Sequence, residues 1–173
     1  MAKQTDERYK RAFLALGSNQ GKRIKELEEA RRLIQNDIGE IVNNSSIYET
    51  EAWGNSTLLP FLNQVIEISS TKSPERLLLE CLRIENKMGR IRTKTVNSYE
   101  NRVIDIDVLL FEDKVISSPK LTLPHPKLHL RKFVLLPLSE IAPNFKVSVY
   151  NLTVKQLLEK CEDNLEVVRF QSN

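Results

Sequence analysis

Cysteine, histidine and tryptophan are all scarce in this 173-residue chain, which has two, two and one of them. Cys81 and Cys161 are too few and too far apart for a disulfide framework, so a reducing compartment, the cytoplasm, is expected. No apolar run approaches the length of a membrane span, so no membrane partner is expected. The first residues, MAKQTDERYKR, lack the apolar stretch of a signal peptide and read as a polar lead-in over residues 1–10. No repeat, low-complexity tract or linker divides the remaining chain. The composition, 40% hydrophobic and 28% charged, is that of an ordinary globule, and residues 11–173 are expected to form one domain.

The net charge of +3 is small but uneven. Between Arg83 and Arg102 lie six cations (Arg83, Lys87, Arg90, Arg92, Lys94, Arg102) against Glu85 and Glu100, a net of +4, so the rest of the chain sums to −1. A local basic cluster suits a small polyanion better than a long nucleic acid, and no nucleic-acid partner is expected. A solvated helix end is the plainer alternative.

Patterning gives the elements. Arg11 to Leu16 reads as a strand ended by the turn chemistry of Gly17-Ser18-Asn19. A helix follows from about Lys22, with Ile24, Leu27, Ala30, Leu33 and Ile34 on one stripe and Gly39 at its C-terminal cap. Strands are expected over Ile41–Thr50 and Phe61–Ser69, with the only tryptophan, Trp53, in the loop between them. Ser73-Pro74-Glu75 starts a second helix that Gly89 ends. Glu85 falls on its apolar arc, where a carboxylate must be paired with an arginine or engaged with a ligand. After the next strand come a hairpin around Glu112-Asp113, a proline-punctuated loop, a helix near Val154–Lys160 and a strand near Leu165–Phe170. The order strand, helix, strand, strand, helix, strand predicts an α+β fold, a ferredoxin-like βαββαβ sandwich with helices on one face and a C-terminal extension.

Val103 to Phe111 carries Asp105-Ile106-Asp107 inside an apolar strand. Alternation puts Asp105 and Asp107 on one face, with Cα atoms about 6.7 Å apart at roughly 3.3 Å per residue. Two anions so close should repel and raise at least one pKa unless a cation lies between them. Oxygen-only ligands suit Mg²⁺, which takes one or two carboxylates and completes its shell with water and phosphates. The competing reading is an edge strand charged against aggregation.

Other stretches have two readings as well. Gly17 to Arg23 resembles a phosphate loop, but it is one residue short and has Arg23 where a magnesium-binding Ser or Thr belongs, so it reads as a turn before the helix. Ile91 to Asn101 is either a loop that closes over a triphosphate or a solubilising surface loop. His125 and His129 are four apart, but Pro126 breaks the helix that would align them on zinc. His125 and Arg131 fit phosphate better.

Five motifs in register resemble a known family. They are Leu16-Gly17-Ser18-Asn19; Phe61-Leu62-Asn63; Glu85-x₄-Arg90-x-Arg92; Arg102-x₂-Asp105-Ile-Asp107-x₂-Leu110-Phe111; and Leu123-Pro124-His125-x₅-Arg131-x-Phe133-x₃-Pro137-Leu138. Together, from Ala12 to Asn144, they resemble the 6-hydroxymethyl-7,8-dihydropterin pyrophosphokinases of folate biosynthesis. The resemblance implies transfer of pyrophosphate from ATP to the pterin hydroxymethyl group, with release of AMP. It implies that Asp105 and Asp107 hold two Mg²⁺ ions and that Arg90 and Arg102 act beside them. Glu85, Arg92, Val108, Thr122, His125 and Arg131 would join Arg90 and Arg102 in binding ATP. Thr50, Trp53, Phe61, Asn63 and Phe133 would line the pterin pocket, with Tyr99 covering it. A monomer is expected.

The chain also departs from the family pattern. Tyr99-Glu100-Asn101 stands where many relatives have Trp-Gly-Pro, Pro126 where an aromatic often follows the histidine, and Leu82 where some have a polar nucleotide contact. A ferredoxin-like RNA-binding module would need exposed aromatics where this strand has aspartates. A silent pterin-binding scaffold would be expected to have lost an acid or Arg102, and neither is lost.

Overall fold

The computed structural model describes residues 8–55, 57–90 and 100–171. Lys10–Ser18 (β1) is buried along both faces and lies inside the sheet. Ala12, Leu14 and Leu16 point to one side, Phe13 and Ala15 to the other. The strand outruns its expected limits because Lys10 pairs with Ser70 and Ser18 with Leu62. Phe61–Ser70 (β4) flanks β1 on one side and Asp105–Phe111 (β5) on the other, both antiparallel.

The strand expected over Ile41–Thr50 is two strands, Glu40–Asn44 (β2) and Tyr48–Thr50 (β3), both paired with β4. Side chains cause the break. The Ser45 hydroxyl accepts the Val65 amide at 3.0 Å, replacing a ladder carbonyl, and the Ser46 amide donates to the Glu140 carboxylate at 3.1 Å. Val167–Arg169 (β10) extends the sheet beyond β3, giving the order β10-β3-β4-β1-β5.

Arg23–Asp37 (α1) and Pro74–Lys87 (α2) cover one face. Ser73 caps α2 by accepting the Arg76 amide, as its sequence predicts, and Gly89 follows the helix at φ +89°. Gly39 has a different role from the expected cap. A Cβ there would lie 2.4 Å from the Ser69 carbonyl, so glycine permits close backbone approach to β4.

The second face is also covered. Lys132–Ile141 (α3) and Val154–Glu159 (α4) bury Val134, Leu135, Leu138, Val154 and Leu157 against Phe13, Val65, Leu109 and Leu110. The sequence pattern predicts helices on one face only and gives no sign of α3, because Pro137 lies inside it. Proline forfeits one helical hydrogen bond. Each buried leucine or valine on the apolar stripe contributes about 2 kcal/mol, enough to outweigh that loss.

Beyond β5 the chain turns at Glu112 and Asp113, but the next strand does not fold back on β5. Ile116–Ser117 (β6) pairs instead with Thr122–Leu123 (β7), and Lys146–Val147 (β8) pairs with Leu152–Thr153 (β9). Both cysteines are free, and no described helix is long and apolar enough to cross a membrane.

Glu140 joins α3 to the break between β2 and β3, accepting from the Ser46 amide and hydroxyl and from the Tyr48 hydroxyl. Burial opposes its charge, but the bonds from Ser46 and Tyr48 outweigh it and hold the carboxyl below its ordinary range. A depressed folded-state pKa stabilises above the unfolded value and ceases to do so as pH falls through the folded one. Glu140→Gln is therefore expected to cost about 1 kcal/mol at neutral pH, allowing for its exposure. The deficit, read by urea denaturation, should shrink as the pH drops below the carboxylate range.

Candidate active site

Alternation places Asp105 and Asp107 on the face of β5 turned away from α1 and α2. The neighbouring strands present Gly17, Ala15, Phe61 and Asn63 to the same space. Gly17 keeps that space open, since a Cβ there would sit 3.3 Å from Asn63 Oδ1 and 3.9 Å from the Asp105 Cβ. A cleft of about 710 Å³, counted to open solvent, lies over this surface and is also lined by Thr50, Trp53, Arg102, Arg131 and Phe133. Asn63 Nδ2 donates to Thr50 Oγ1 at 2.9 Å, which fixes the amide between the two strands.

Strict alternation fails after Leu109, two residues beyond Asp107. Leu14 pairs with Val108 and Phe13 with Leu110, leaving Leu109 as a bulge, so Leu109 and Leu110 both pack toward α3 and Phe111 turns to the opposite core. The Leu109 carbonyl accepts the His125 amide at 2.9 Å. This bond fastens the histidine to the strand that carries the aspartates.

The charges form a connected network. Arg90 Nη1 binds Glu85 Oε1 and reaches Asp105 Oδ1 at 2.5 Å, while Arg102 Nη1 binds Asp105 Oδ2 at 2.9 Å. Glu85 is 1% exposed and also accepts the Ile106 amide at 2.7 Å. Arg131 Nη1 lies 3.5 Å from Asp107 Oδ2. Burial raises the Asp105 pKa, but Arg102 and Arg90 more than reverse it, and the carboxyl is held below its ordinary value. Among the described residues Asp107 has no such pair of guanidinium groups. Burial and the Asp105 charge push it up to about 7, against the pull of Arg131.

Burial and Arg131 lower the His125 pKa to about 4, so the ring is neutral at physiological pH. Its Nδ1 accepts the Lys127 amide at 3.1 Å, which places the proton on Nε2, 3.9 Å from Asp107 Oδ2. A second cleft of about 720 Å³ opens on this side, lined by Leu78, Leu82, Val108, Thr122 and His125. Asp107 borders both clefts.

Most residues singled out in the sequence converge here. Thr50, Trp53, Phe61, Asn63 and Phe133 meet in the first cleft, and Val108, Thr122 and His125 in the second. Glu85 has the arginine partner that its apolar position calls for, Arg90. Glu85 lines neither cleft and tethers Arg90 to the backbone of β5. Arg92 and Tyr99 lie outside the described residues. Arg131 stacks 5.1 Å from the Trp53 ring and 5.7 Å from Phe133, and Arg102 stacks 5.6 Å from Phe61.

Asn19 is a site residue that the sequence pattern places only in a turn. It is 1% exposed; its Oδ1 accepts the Arg102 amide at 2.7 Å, and its Nδ2 donates to the Leu59 carbonyl and to Asn101 Oδ1. The Gly-Ser-Asn run carries the signal, but turn chemistry explains it equally well.

The donor set suits magnesium. Two carboxylates share a strand face, one of them driven toward neutrality by burial and by the charge of the other, and both offer hard oxygen ligands. The family model described as 7,8-dihydro-6-hydroxymethylpterin-pyrophosphokinase (HPPK) matches residues 13–143. The chain is 40% identical over 132 residues to the 2-amino-4-hydroxy-6-hydroxymethyldihydropteridine pyrophosphokinase of Porphyromonas gingivalis, covering 76% of this chain and 90% of that one. It is 38% identical over 144 residues to the Aquifex aeolicus protein of the same name, covering 83% and 88%. Among solved structures, Plasmodium falciparum HPPK-DHPS A437G with SDX-DHP aligns with a TM-score of 0.73 and 19% identity over 88% of this chain. The chain spans 45% of that longer protein, and at this identity the likeness concerns the fold.

Removing a buried carboxylate from its guanidinium partner typically costs about 3 kcal/mol or more. Glu85→Ala is expected to lose about that much in denaturant unfolding, because Arg90 and the Ile106 amide both lose their acceptor. A loss below about 1 kcal/mol would show that Glu85 does not hold α2 to β5.

Proposed function

The chain belongs to the 7,8-dihydro-6-hydroxymethylpterin-pyrophosphokinase family and transfers pyrophosphate from ATP to the hydroxymethyl group of 6-hydroxymethyl-7,8-dihydropterin, releasing AMP; we propose that the paired clefts around Asp107 are where it does so. One observation carries this assignment. Asp107 is shared by a cleft with aromatic walls and a cleft with mixed polar and apolar walls, so the groups that must react would meet at its carboxylate.

In this reading the pterin lies in the first cleft between Phe61 and Phe133, with polar contacts from Thr50 and Asn63, Trp53 at the rim and Tyr99 as cover. The adenosine of ATP occupies the second cleft beside Val108 and Thr122. The triphosphate crosses between them, where Arg90, Arg102 and Arg131 offer planar donors that match phosphate oxygens, and the family resemblance adds Arg92 as a further ATP ligand. His125, neutral and protonated on Nε2, adds a donor without adding charge. Glu85 serves ATP through Arg90, which it holds in place.

Asp105 and Asp107 would hold two Mg²⁺ ions, which when bound supply charge neutralisation along the triphosphate. The hydroxymethyl oxygen forms its bond to the β-phosphorus and gives up its proton, while the bond from that phosphorus to the α-phosphate oxygen breaks and AMP leaves with the oxygen. The arginines withdraw charge from the phosphate oxygens, and the aromatic walls exclude water that would compete with the pterin hydroxyl. Residues 11–173 would act as one pyrophosphokinase domain, with a ferredoxin-like core suggested by the strand order. A cytoplasmic monomer is the proposed form.

Asp105→Asn and Asp107→Asn are each expected to lower pterin-dependent AMP release by about a thousandfold or more. The measurement is chromatography of nucleotides with and without pterin and Mg²⁺. Undiminished AMP from either variant would exclude the metal role, and ADP in place of AMP would exclude pyrophosphate transfer. Phe133→Ala should raise the KM for pterin by about tenfold, with little change in the KM for ATP.

A further inference from the structure

Asn101 and Asn19 together hold both hydrogen-bonding groups of one loop residue. The Leu59 amide donates to Asn101 Oδ1 at 3.2 Å, and the Leu59 carbonyl accepts from Asn19 Nδ2 at 3.0 Å. Asn19 Nδ2 also donates to Asn101 Oδ1 at 2.7 Å, which closes a small ring of bonds. Asn19 holds both groups of Arg102 as well, through its Oδ1 at 2.7 Å and its backbone amide at 3.2 Å. Leu59 belongs to the loop that carries Trp53 and leads through Pro60 into Phe61. Arg102 binds Asp105.

From these contacts we infer that Asn101 is a positioning residue that ties the aromatic wall of the first cleft to the backbone of Arg102, whose side chain reaches Asp105, so that each side of the site is set by the other. The inference rests on the assignment of pterin to that cleft. Its force comes from geometry. Pro60 has no amide to donate, and Leu59, the residue before it, is held from both sides by side chains anchored to the strand end and to the Arg102 backbone. Asn101 lines neither cleft, so it acts through Leu59 and Asn19. Asparagine suits the task because one carbonyl oxygen can accept from two donors.

Trp53 is the only tryptophan, so its emission reports on this loop without the reaction. Asn101→Ala is expected to raise the KM for hydroxymethyl-dihydropterin about fivefold, leave the melting temperature unchanged and increase acrylamide quenching of Trp53 in the ligand-free protein. Asn101→Asp keeps the accepting oxygen and should restore both properties. The inference is overturned if Asn101→Ala matches the unaltered protein in both readouts, if Asn101→Asp behaves like the alanine variant, or if the change only follows a lowered melting temperature. Absence of pterin-dependent AMP release from the unaltered protein would instead remove the functional reading of the cleft. The quenching comparison would still decide whether Asn101 holds the loop.

Discussion

The buried contact of Glu85 with Arg90 and the Ile106 amide is the constraint on which the site depends. It fastens the C-terminal end of α2 to the first residues of β5 and presents the guanidinium to Asp105. A carboxylate at 1% exposure is costly unless it is both paired and hydrogen-bonded. Here a cation and a backbone donor converge on its Oε1, so the orientation of Arg90 is part of the core rather than a surface rotamer. Asp105 inherits that rigidity from two sides, since Arg102 grips its other oxygen.

The two aspartates, alike in sequence, therefore differ in character. Asp105 is paired with a guanidinium group at each oxygen and stays ionised. Among the described residues, Asp107 meets one arginine at longer range and a neutral imidazole, and it borders both clefts. This asymmetry explains how adjacent carboxylates coexist on one strand face. One carboxylate has its charge offset by two guanidinium groups of the protein, and the other meets only a single, more distant one.

Much of this was legible in the sequence because it follows from spacing. The Asp-Ile-Asp alternation and the Ser73-Pro74 helix start rest on period-two strands and local capping, while the grouping of Phe61, Asn63 and Phe133 was legible only through the family resemblance. What was not legible depended on partners distant in the chain. Glu140 lies 94 residues from Ser46, yet it helps divide the expected long strand. Pro137 hid α3, whose stability comes from packing on the sheet. Asn19 read as a turn residue because its partners, Leu59 and Arg102, are assigned only by the fold. Asn101 stood out only as a departure from a motif, with nothing local to give it a task.

The bulge in β5 separates two requirements that a regular strand would have to meet together. Without Leu109, the residues from Asp105 to Phe111 would alternate cleanly, with both aspartates still on their face and Phe111 still in its core. One buried leucine aside, the extra residue is thus unnecessary to the two-faced pattern of the sheet. What it carries is the carbonyl that, on the open edge of the sheet, holds the His125 backbone. A single-codon deletion at this position would be nearly silent in the hydrophobic pattern, yet it would uncouple the histidine from the aspartates. Sequence comparison scored on hydropathy alone would pass over the one residue whose loss divides the site.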